Sequence, residues 1–159
     1  MPRSDAGRIT VVVDSREQLP YTFDPGRTEV VRRALPAGDY SIEGHEESVA
    51  VERKTLEDFV STVIRSRKRF TRELRLLSGY DAACVVVEAD LRDILDCRYR
   101  SGAHPNAVLG AVISIIVDFG VPVFFCSDRQ AACRFVEDFL HRYHRKVSRR
   151  WNEERTSSP

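Results

Sequence analysis

The sequence lacks a net charge of either sign, a CxxC motif and an uninterrupted hydrophobic run, and each absence excludes a class of protein. Its 25 Lys and Arg residues nearly balance 24 Asp and Glu residues, so net charge alone predicts no polyanionic partner. The four cysteines have no CxxC spacing, which favours free thiols in a reducing compartment. The longest apolar stretch, residues 107–126, contains Asp118 and is broken at Gly120-Val121-Pro122, which excludes a membrane span.

The length of the chain predicts one domain rather than two. Its 159 residues are 42% hydrophobic and 31% charged, which is the composition of a soluble globular protein. We expect a single domain over residues 1–150 and a flexible tail over residues 151–159. The N-terminal residues MPRSDAGR contain no apolar signal segment, so we expect a cytoplasmic, nucleoid-associated or nuclear protein rather than a secreted one.

Apolar runs separated by turn residues predict an α/β domain with a mixed central β-sheet flanked by helices. Thr55 precedes the first predicted helix and Asp58 follows three residues later, as in a capping box. Residues 29–34 fit either a strand or a helix. The other predicted strands are residues 9–14, 40–43, 49–53, 83–89 and 121–126, and the predicted helices are residues 55–66, 68–77, 106–119 and 129–149.

The segments 40–43 and 49–53 flank a turn at residues 44–47 and predict a β-hairpin. In the register of this hairpin Asp39 lies opposite Glu52, with the two Cβ atoms about 5 Å apart. Lys54 follows Glu52 on the same face, about 7 Å along the strand. The other face of the hairpin is apolar and carries Tyr40, Ile42, Val49 and Val51.

The pairing of Asp39 with Glu52 predicts a site for a divalent cation. Two carboxylates this close repel each other unless a cation or a proton lies between them. Two oxygen donors with open water positions are typical of Mg²⁺ sites, and Lys54 would orient a water or stabilise charge on a phosphate. The alternative is a solvated hairpin face with an incidental acid pair and a Lys–Glu bridge, because short acidic motifs also arise by chance.

Several further polar residues adjoin this hairpin. Asp14 ends the first strand and is followed by Arg16 and Glu17, so we expect these carboxylates at the same edge of the sheet. Asp58 either points back toward the hairpin or only caps the helix. Arg53 faces the apolar side in this register, where it either swings out at the strand end or pairs with a buried acid.

These residues resemble the nuclease motif of the XPF-type structure-specific endonucleases. Three blocks carry the resemblance in the order of the family: VDSRE at residues 13–17, LPAGDY at residues 35–40, and VERK at residues 51–54 with Asp58. The family signature GDY…ERKxxxD is matched in full, and the resemblance covers about residues 9–145. It implies a restriction-endonuclease-like core and Mg²⁺- or Mn²⁺-dependent cleavage of DNA near branch points, in repair or recombination.

The resemblance also implies a role for each residue of the three blocks. Asp39 and Glu52 would be the metal ligands, and Lys54 would be the catalytic lysine. The catalytic site would be completed or supported by Asp14, Glu17, Arg16, Arg53 and Asp58.

Two features of the sequence depart from the family. Most members carry a tandem helix-hairpin-helix module after the nuclease domain, whereas only about ten residues follow the last predicted helix here. We therefore expect this module to be absent from the chain, which leaves open whether a separate protein supplies duplex binding. After Arg69-Phe70 the family often has a glutamine, where this chain has Thr71-Arg72-Glu73.

A basic segment follows the acidic hairpin directly. Residues 36–60 carry seven acids against two bases, and residues 61–75 carry six bases against one acid. Helical spacing predicts that Arg65, Arg69 and Arg72, with Lys68 beside them, form a DNA-binding face. Phosphate contacts carry no sequence information, so we expect largely sequence-independent binding that weakens with salt. The alternative is an ordinary solvated helix face.

The C-terminal half predicts both a core helix and an interface. Residues 107–119 are apolar on nearly every side of a helix, so the helix is buried either in the core or against a partner. The resemblance implies dimerisation here, and we expect a homodimer or heterodimer through residues 106–147. His141 and His144 are expected at a solvated, basic helix end.

A metal-dependent DNA endonuclease is therefore the favoured function. A non-catalytic DNA-binding or scaffold subunit of a nuclease complex is the alternative from a different class. The intact acids and Lys54 argue against that alternative, because a scaffold has no need to keep repelling carboxylates together. A restriction or recombination nuclease would differ only in its substrate.

Overall fold

A computed structural model describes residues 7–158 and contains a six-stranded mixed sheet with helices on both faces. The strands are β1 (Ile9–Asp14), β2 (Thr28–Arg33), β3 (Tyr40–Ile42), β4 (Val49–Thr55), β5 (Ala82–Glu88) and β6 (Val123–Phe125). The helices are α1 (Leu56–Arg65), α2 (Arg67–Ser78), α3 (Leu91–Leu95), α4 (Pro105–Phe119) and α5 (Arg129–Ser157). The strand order is β2-β1-β3-β4-β5-β6, in which β3 is antiparallel to both neighbours and the other pairs are parallel. This architecture confirms the predicted α/β class.

The central strands are buried on both faces, and each face contributes to a separate hydrophobic core. One core contains Ala50 and Val85 together with buried side chains of α1, α2 and α4. The other contains Val51 and Val86 together with buried side chains of α5. Because close-packed side chains hold β4 from both sides, the polar residues at its end have a rigid support.

Helix α4 is buried on one side only. Its side chains Val108, Val112 and Ile115 lie in the core, as the prediction of core burial requires. Ile113 and Val117 on its other side are exposed. In the part of the chain that the structure describes, every helix is too short or too polar to cross a membrane.

One open alternative is decided by the structure, and two helices differ from the predictions. Residues Thr28–Arg33 form strand β2, so the helical alternative for this region is wrong. Helix α5 continues to Ser157, so the predicted helix end at residue 149 is wrong and most of the predicted tail is helical. Helix α3 was not predicted, because its five residues are too few to show a hydrophobic period.

His141 is buried in α5 rather than solvated, so the expectation for this residue is wrong. Its Nε2 lies 3.0 Å from the hydroxyl of Thr28, which also donates to Oε2 of Glu137 at 2.7 Å. Burial lowers the pKa of His141. This buried polar group attaches α5 to the start of β2.

Candidate active site

The ends of three strands meet at one cavity. Because β1 and β4 are both antiparallel to β3, their carboxyl ends lie at the same edge of the sheet. The cavity at this edge has a volume of about 280 Å³. Its sheet side is formed by Asp14, Arg16, Gly38, Asp39, Glu52 and Lys54, and its helix side by Thr62, Ser66, Arg69, Phe70 and Glu73.

The hairpin has the predicted register. Tyr40 pairs with Val51, and antiparallel pairing then places Asp39 opposite Glu52. The N–H of Asp39 donates to the carbonyl oxygen of Val51 at 2.8 Å, and the N–H of Arg53 donates to Oδ2 of Asp39 at 2.8 Å. These two bonds fix the first carboxylate of the pair against the strand that carries the second.

Gly38 accounts for the glycine that precedes Asp39 in the signature. Its φ is +77°, in the left-handed region that favours glycine. A Cβ added at this position would lie 3.0 Å from the Cβ of Ala50 and 3.2 Å from the carbonyl oxygen of Val51. A side chain here would therefore push the turn away from β4 and displace Asp39.

The hairpin face that carries the acids is covered by helices, so the alternative of a solvated face is wrong. Ala50 is fully buried and Glu52 is 5% exposed. Burial raises the pKa of Glu52 well above its ordinary value, and the charges of Asp39 and Glu73 raise it further. Burial also raises the pKa of Asp39 to about 6, although the hydrogen bond from the Arg53 N–H opposes this shift.

Lys54 lies beside the acid pair, as predicted. Its Nζ is 3.2 Å from Oε1 of Glu52 and 5.7 Å from the ring centroid of Phe70. Burial lowers the pKa of this ammonium, but the negative charges of Glu52 and Asp39 raise it by more. The pKa of Lys54 is therefore raised overall. Lys54 is therefore a hydrogen-bond donor and a positive charge at neutral pH, rather than a proton acceptor.

Asp14 and Arg16 form an ion pair on the wall of the cavity. Oδ2 of Asp14 accepts a hydrogen bond from Nε of Arg16 at 2.8 Å, and its Oδ1 accepts one from the N–H of Leu35 at 2.9 Å. The carboxylate is buried, whereas the guanidinium is mostly exposed. The hydrogen bond with Asp14 raises the pKa of Arg16. Asp14 thus positions Arg16 at the cavity and anchors the chain that leads to Asp39.

Glu17 and Arg53 lie on the other face of the sheet and do not line the cavity. Arg53 is 2.6 Å from Oε1 of Glu88 and 3.4 Å from Oε1 of Glu17, and all three side chains are less than a tenth exposed. Its guanidinium also lies over the ring of Tyr21, 5.4 Å from the centroid. Of the two alternatives for Arg53, pairing with a buried acid is therefore the one found. Glu17 lies at the predicted edge of the sheet, and its charge helps to raise the pKa of Asp39, but its carboxylate pairs with Arg53 instead of lining the cavity.

Asp58 is exposed in the first turn of α1 and does not line the cavity. Its N–H donates to the hydroxyl of Thr55 at 3.2 Å, which is the predicted helix cap. The capping contact accounts for its position.

The basic residues predicted to bind DNA are all exposed, but they do not lie on one helix. Arg65 is the last residue of α1, whereas Lys68, Arg69 and Arg72 belong to α2. The spacing argument therefore fails for Arg65, because the helix is interrupted at Ser66. Of the four basic residues, Arg69 lines the cavity.

Two acids of this region were missed in the sequence. Glu73 enters the cavity from α2, and Glu88 pairs with Arg53 behind it. The only signal of Glu73 in the sequence was that it belongs to the segment Thr71-Arg72-Glu73, which departs from the resemblance after Arg69-Phe70. Glu88 ends β5, so the rule that polar residues follow buried strands at one edge of a sheet would have found it.

The carboxylates of the cavity fit a hard divalent cation such as Mg²⁺ or Mn²⁺. Such ions prefer oxygen ligands, and the raised pKa values of Asp39 and Glu52 show burial and repulsion that a cation would relieve. Among residues 7–158, no three or more His, Cys, Asp or Glu side chains are arranged to hold a metal ion. Asp39 and Glu52, which lie opposite each other at the cavity, would be the protein ligands, with water or substrate oxygens completing the coordination.

The chain matches the ERCC4 domain over residues 13–139, a range that contains every predicted catalytic residue. It is 33% identical over 122 residues to a Methanocaldococcus jannaschii protein whose name describes an ATP-dependent RNA helicase, covering 77% of this chain and 14% of that protein. It is 28% identical over 138 residues to the 3′-flap repair endonuclease Xpf of Saccharolobus solfataricus, covering 85% of this chain and 56% of the relative. The chain thus spans only part of the length of both relatives.

Solved structures of XPF from Aeropyrum pernix have the same fold. The protein alone superposes with a TM-score of 0.65 at 25% identity, over 89% of this chain and 69% of that chain. Its complex with DNA gives a TM-score of 0.65 at 25% identity, over 88% and 66% of the two chains. The chain therefore belongs to the ERCC4 domain family and has the fold of an XPF nuclease domain.

Proposed function

We propose that this protein is a DNA endonuclease that hydrolyses phosphodiester bonds with Mg²⁺ or Mn²⁺, near junctions between single-stranded and duplex DNA. One observation carries the proposal: the half-buried carboxylate of Asp39 lies opposite the buried carboxylate of Glu52, beside the ammonium of Lys54, in a cavity that opens to solvent. A scaffold subunit would gain nothing from keeping repelling acids under a layer of helices, since their burial opposes folding. We therefore favour the enzyme over the non-catalytic alternative.

Asp39, Glu52 and Lys54 would have different roles in the reaction. Asp39 and Glu52 would hold the cation, which supplies Lewis-acid chemistry toward the phosphate and the attacking water. Lys54 keeps its proton, so it donates hydrogen bonds to that water or to a phosphate oxygen on which negative charge develops. By analogy with the family, the products are a 3′-hydroxyl and a 5′-phosphate.

Two arginines would hold the DNA backbone at the cavity. Arg16 is fixed by Asp14 with its guanidinium largely in solvent, and Arg69 lies on the opposite, helical wall. We propose that these two guanidinium groups contact phosphates near the bond to be cleaved. Lys68 and Arg72 would extend this basic surface along α2 and neutralise further phosphates.

The substrate is inferred from the relatives rather than from the cavity. The Saccharolobus solfataricus relative is named a 3′-flap repair endonuclease, and one Aeropyrum pernix XPF structure is a complex with DNA. We propose a branched DNA substrate with a single-stranded arm, in repair or recombination. A role on cellular DNA, together with the four free cysteines, favours a reducing compartment such as the cytoplasm or the nucleus.

We also propose that the protein dimerises through α4 and β6. Three apolar side chains of one face of α4, Ile113, Ile116 and Val117, are 51%, 43% and 72% exposed. Phe124 of the neighbouring edge strand β6 is 40% exposed. An exposed apolar face of this kind is typical of an interface, and these residues lie within the predicted range 106–147.

A cleavage panel tests the proposed activity. Labelled single-stranded, duplex, fork, 3′-flap and bubble oligonucleotides are incubated with the protein in EDTA, in Mg²⁺ and in Mn²⁺, in parallel with the Asp39→Asn variant. We expect cleavage of branched substrates with either metal, and none in EDTA or with the variant. Cleavage in EDTA, or equal cleavage by the variant, would refute the proposed role of the acid pair.

A further inference from the structure

Glu73 has no role among the predicted site residues, yet it lines the cavity. It is the only acid in the sequence of α2, among five basic residues, and it lies on the cavity side of the helix. Its own helix does not neutralise it: among the ion pairs within residues 7–158, none includes Glu73. The carboxylate is therefore directed toward the strand residues opposite.

The first contact of Glu73 is with the turn that carries Asp39. Its Oε1 accepts a hydrogen bond from the N–H of Gly38 at 3.1 Å. Gly38 has a left-handed backbone conformation that residues with a side chain rarely adopt, and the next peptide leads directly to Asp39. Glu73 thus attaches the position of a candidate metal ligand to α2, through one hydrogen bond that crosses the cavity wall.

The second contact is electrostatic. Glu73 lines the same cavity as Asp39 and Glu52, so its carboxylate shares one small space with theirs. Together with Asp14, which is paired with Arg16, four carboxylates line this cavity, and the Nζ of Lys54 lies 3.2 Å from Glu52. Such an arrangement attracts a divalent cation more strongly than the pair of Asp39 and Glu52 would alone.

We propose that Glu73 is a positioning residue of this site, which holds the Gly38–Asp39 turn against α2 and strengthens the binding of the divalent cation by its charge. The inference rests on the proposed nuclease function. Glu73 is not arranged to ligate a metal ion together with Asp39 and Glu52, so it acts through the Gly38 N–H and through its electric field. Residues that surround metal ligands commonly change metal affinity by 10- to 100-fold.

Two substitutions separate the hydrogen bond from the charge. Glu73→Gln keeps an oxygen that accepts from the Gly38 N–H but removes the charge, whereas Glu73→Ala removes both. The control is Glu29→Gln, which removes an exposed acid of β2 that does not line the cavity. Mn²⁺ binding to the protein without DNA is measured by calorimetry, and Tm is measured in EDTA.

We expect Glu73→Gln to bind Mn²⁺ about 10-fold more weakly, with a Tm in EDTA equal to or above that of the wild type. Glu73→Ala should lose the same affinity and also have a lower Tm, and the control should match the wild type. Wild-type Mn²⁺ affinity in Glu73→Gln would overturn the inference, while cleavage by the wild type and its loss in Asp39→Asn would leave the nuclease proposal standing. A wild-type protein that binds no Mn²⁺ would overturn both proposals.

Discussion

The backbone N–H of Arg53 donates a hydrogen bond to Oδ2 of Asp39 at 2.8 Å, so the strand that contains Glu52 also holds the carboxylate opposite it. The bond occupies one carboxylate oxygen and leaves the other to bind a cation. The distance between the two acids is therefore set by backbone geometry rather than by a flexible side-chain contact.

We expect Asp39→Asn to abolish cleavage and keep the fold. The amide oxygen can accept the same hydrogen bond from the Arg53 N–H, while the charge that would bind the cation is lost. The single-turnover cleavage rate of a flap substrate should fall by at least about 100-fold, with DNA affinity unchanged or higher. Glu52→Gln should behave in the same way. A cleavage rate near that of the wild type in either variant would contradict the assigned role.

Without divalent cations, the acid pair should make the protein less stable as pH rises from about 4 to about 7. The pKa of Asp39 is about 6 in the folded protein, above its ordinary value, so the folded state binds this proton more tightly than the unfolded chain. The resulting stabilisation is complete at low pH and is lost as pH rises through the folded pKa. Urea unfolding in EDTA should show a steeper decline with pH for the wild type than for Asp39→Asn. Identical slopes for the two proteins would argue against the raised pKa.

Removal of Arg53 should strongly destabilise the fold. Glu17 and Glu88 are each less than a tenth exposed, and Arg53→Met would leave both buried carboxylates without their cation. We expect a loss of about 3 kcal/mol or more in the free energy of unfolding at pH 7. The control is Arg33→Met, because Arg33 forms an exposed pair with Glu43 and should cost less than about 1 kcal/mol. Equal effects of the two substitutions in urea denaturation would contradict this difference in burial.

The basic surface of α2 should control the salt dependence of DNA binding. Arg69→Ala, in the cleavage-deficient Asp39→Asn background, should lower the slope of log K against log salt by about 0.9 for the one phosphate contact that is lost. Arg8→Ala is the control, because Arg8 is exposed next to the start of β1, at the opposite end of that strand from Asp14. Fluorescence anisotropy with a labelled fork at several salt concentrations provides the measurement. An unchanged slope would place Arg69 outside the DNA interface.

The exposed face of α4 should determine the oligomeric state. We expect the wild type to be a dimer at micromolar concentration, and the double variant Ile113→Glu with Val117→Glu to be a monomer with little change in Tm. Leu76→Glu on α2 is the matched control, because Leu76 is also an exposed apolar residue of a helix, 54% exposed. Sedimentation velocity distinguishes the two states. A wild-type protein that is monomeric at this concentration would contradict the proposed dimer.

The central residues of the site could be predicted because a hairpin has a simple geometry. Once the turn was placed, the two-residue period of a strand fixed Asp39, Glu52 and Lys54 on one face, and the structure has this register. Glu73 could not be placed in this way, because it approaches from a helix, and no local pattern specifies which part of a helix meets a distant strand. Glu17 was predicted at the correct edge of the sheet, but its face could not be predicted, since it follows the end of β1, where the strand period no longer applies.

The prediction of the secondary structure was accurate where the hydrophobic pattern was long, and it failed where that pattern was absent. Strands β1 and β5 are continuous apolar runs, and their predicted bounds differ from the observed ones by at most one residue. The last two turns of α5 are exposed, and Trp151 is the one apolar residue in them, so the sequence contains no hydrophobic period there to mark the helix. Tertiary packing does not reach this segment, and only backbone hydrogen bonding continues the helix.

The alternation along β4 has a consequence for folding errors. Glu52 and Lys54 face the α1–α2 side, while Arg53 between them faces the opposite side with Val51. A shift of the β3–β4 register by one residue would place Glu52 among the apolar side chains of the opposite face. It would also separate the guanidinium of Arg53 from Glu17 and Glu88. A misregistered chain would thus lose the acid pair and the buried ion pairs of Arg53 together, so the same alternation that builds the candidate site also disfavours the wrong register.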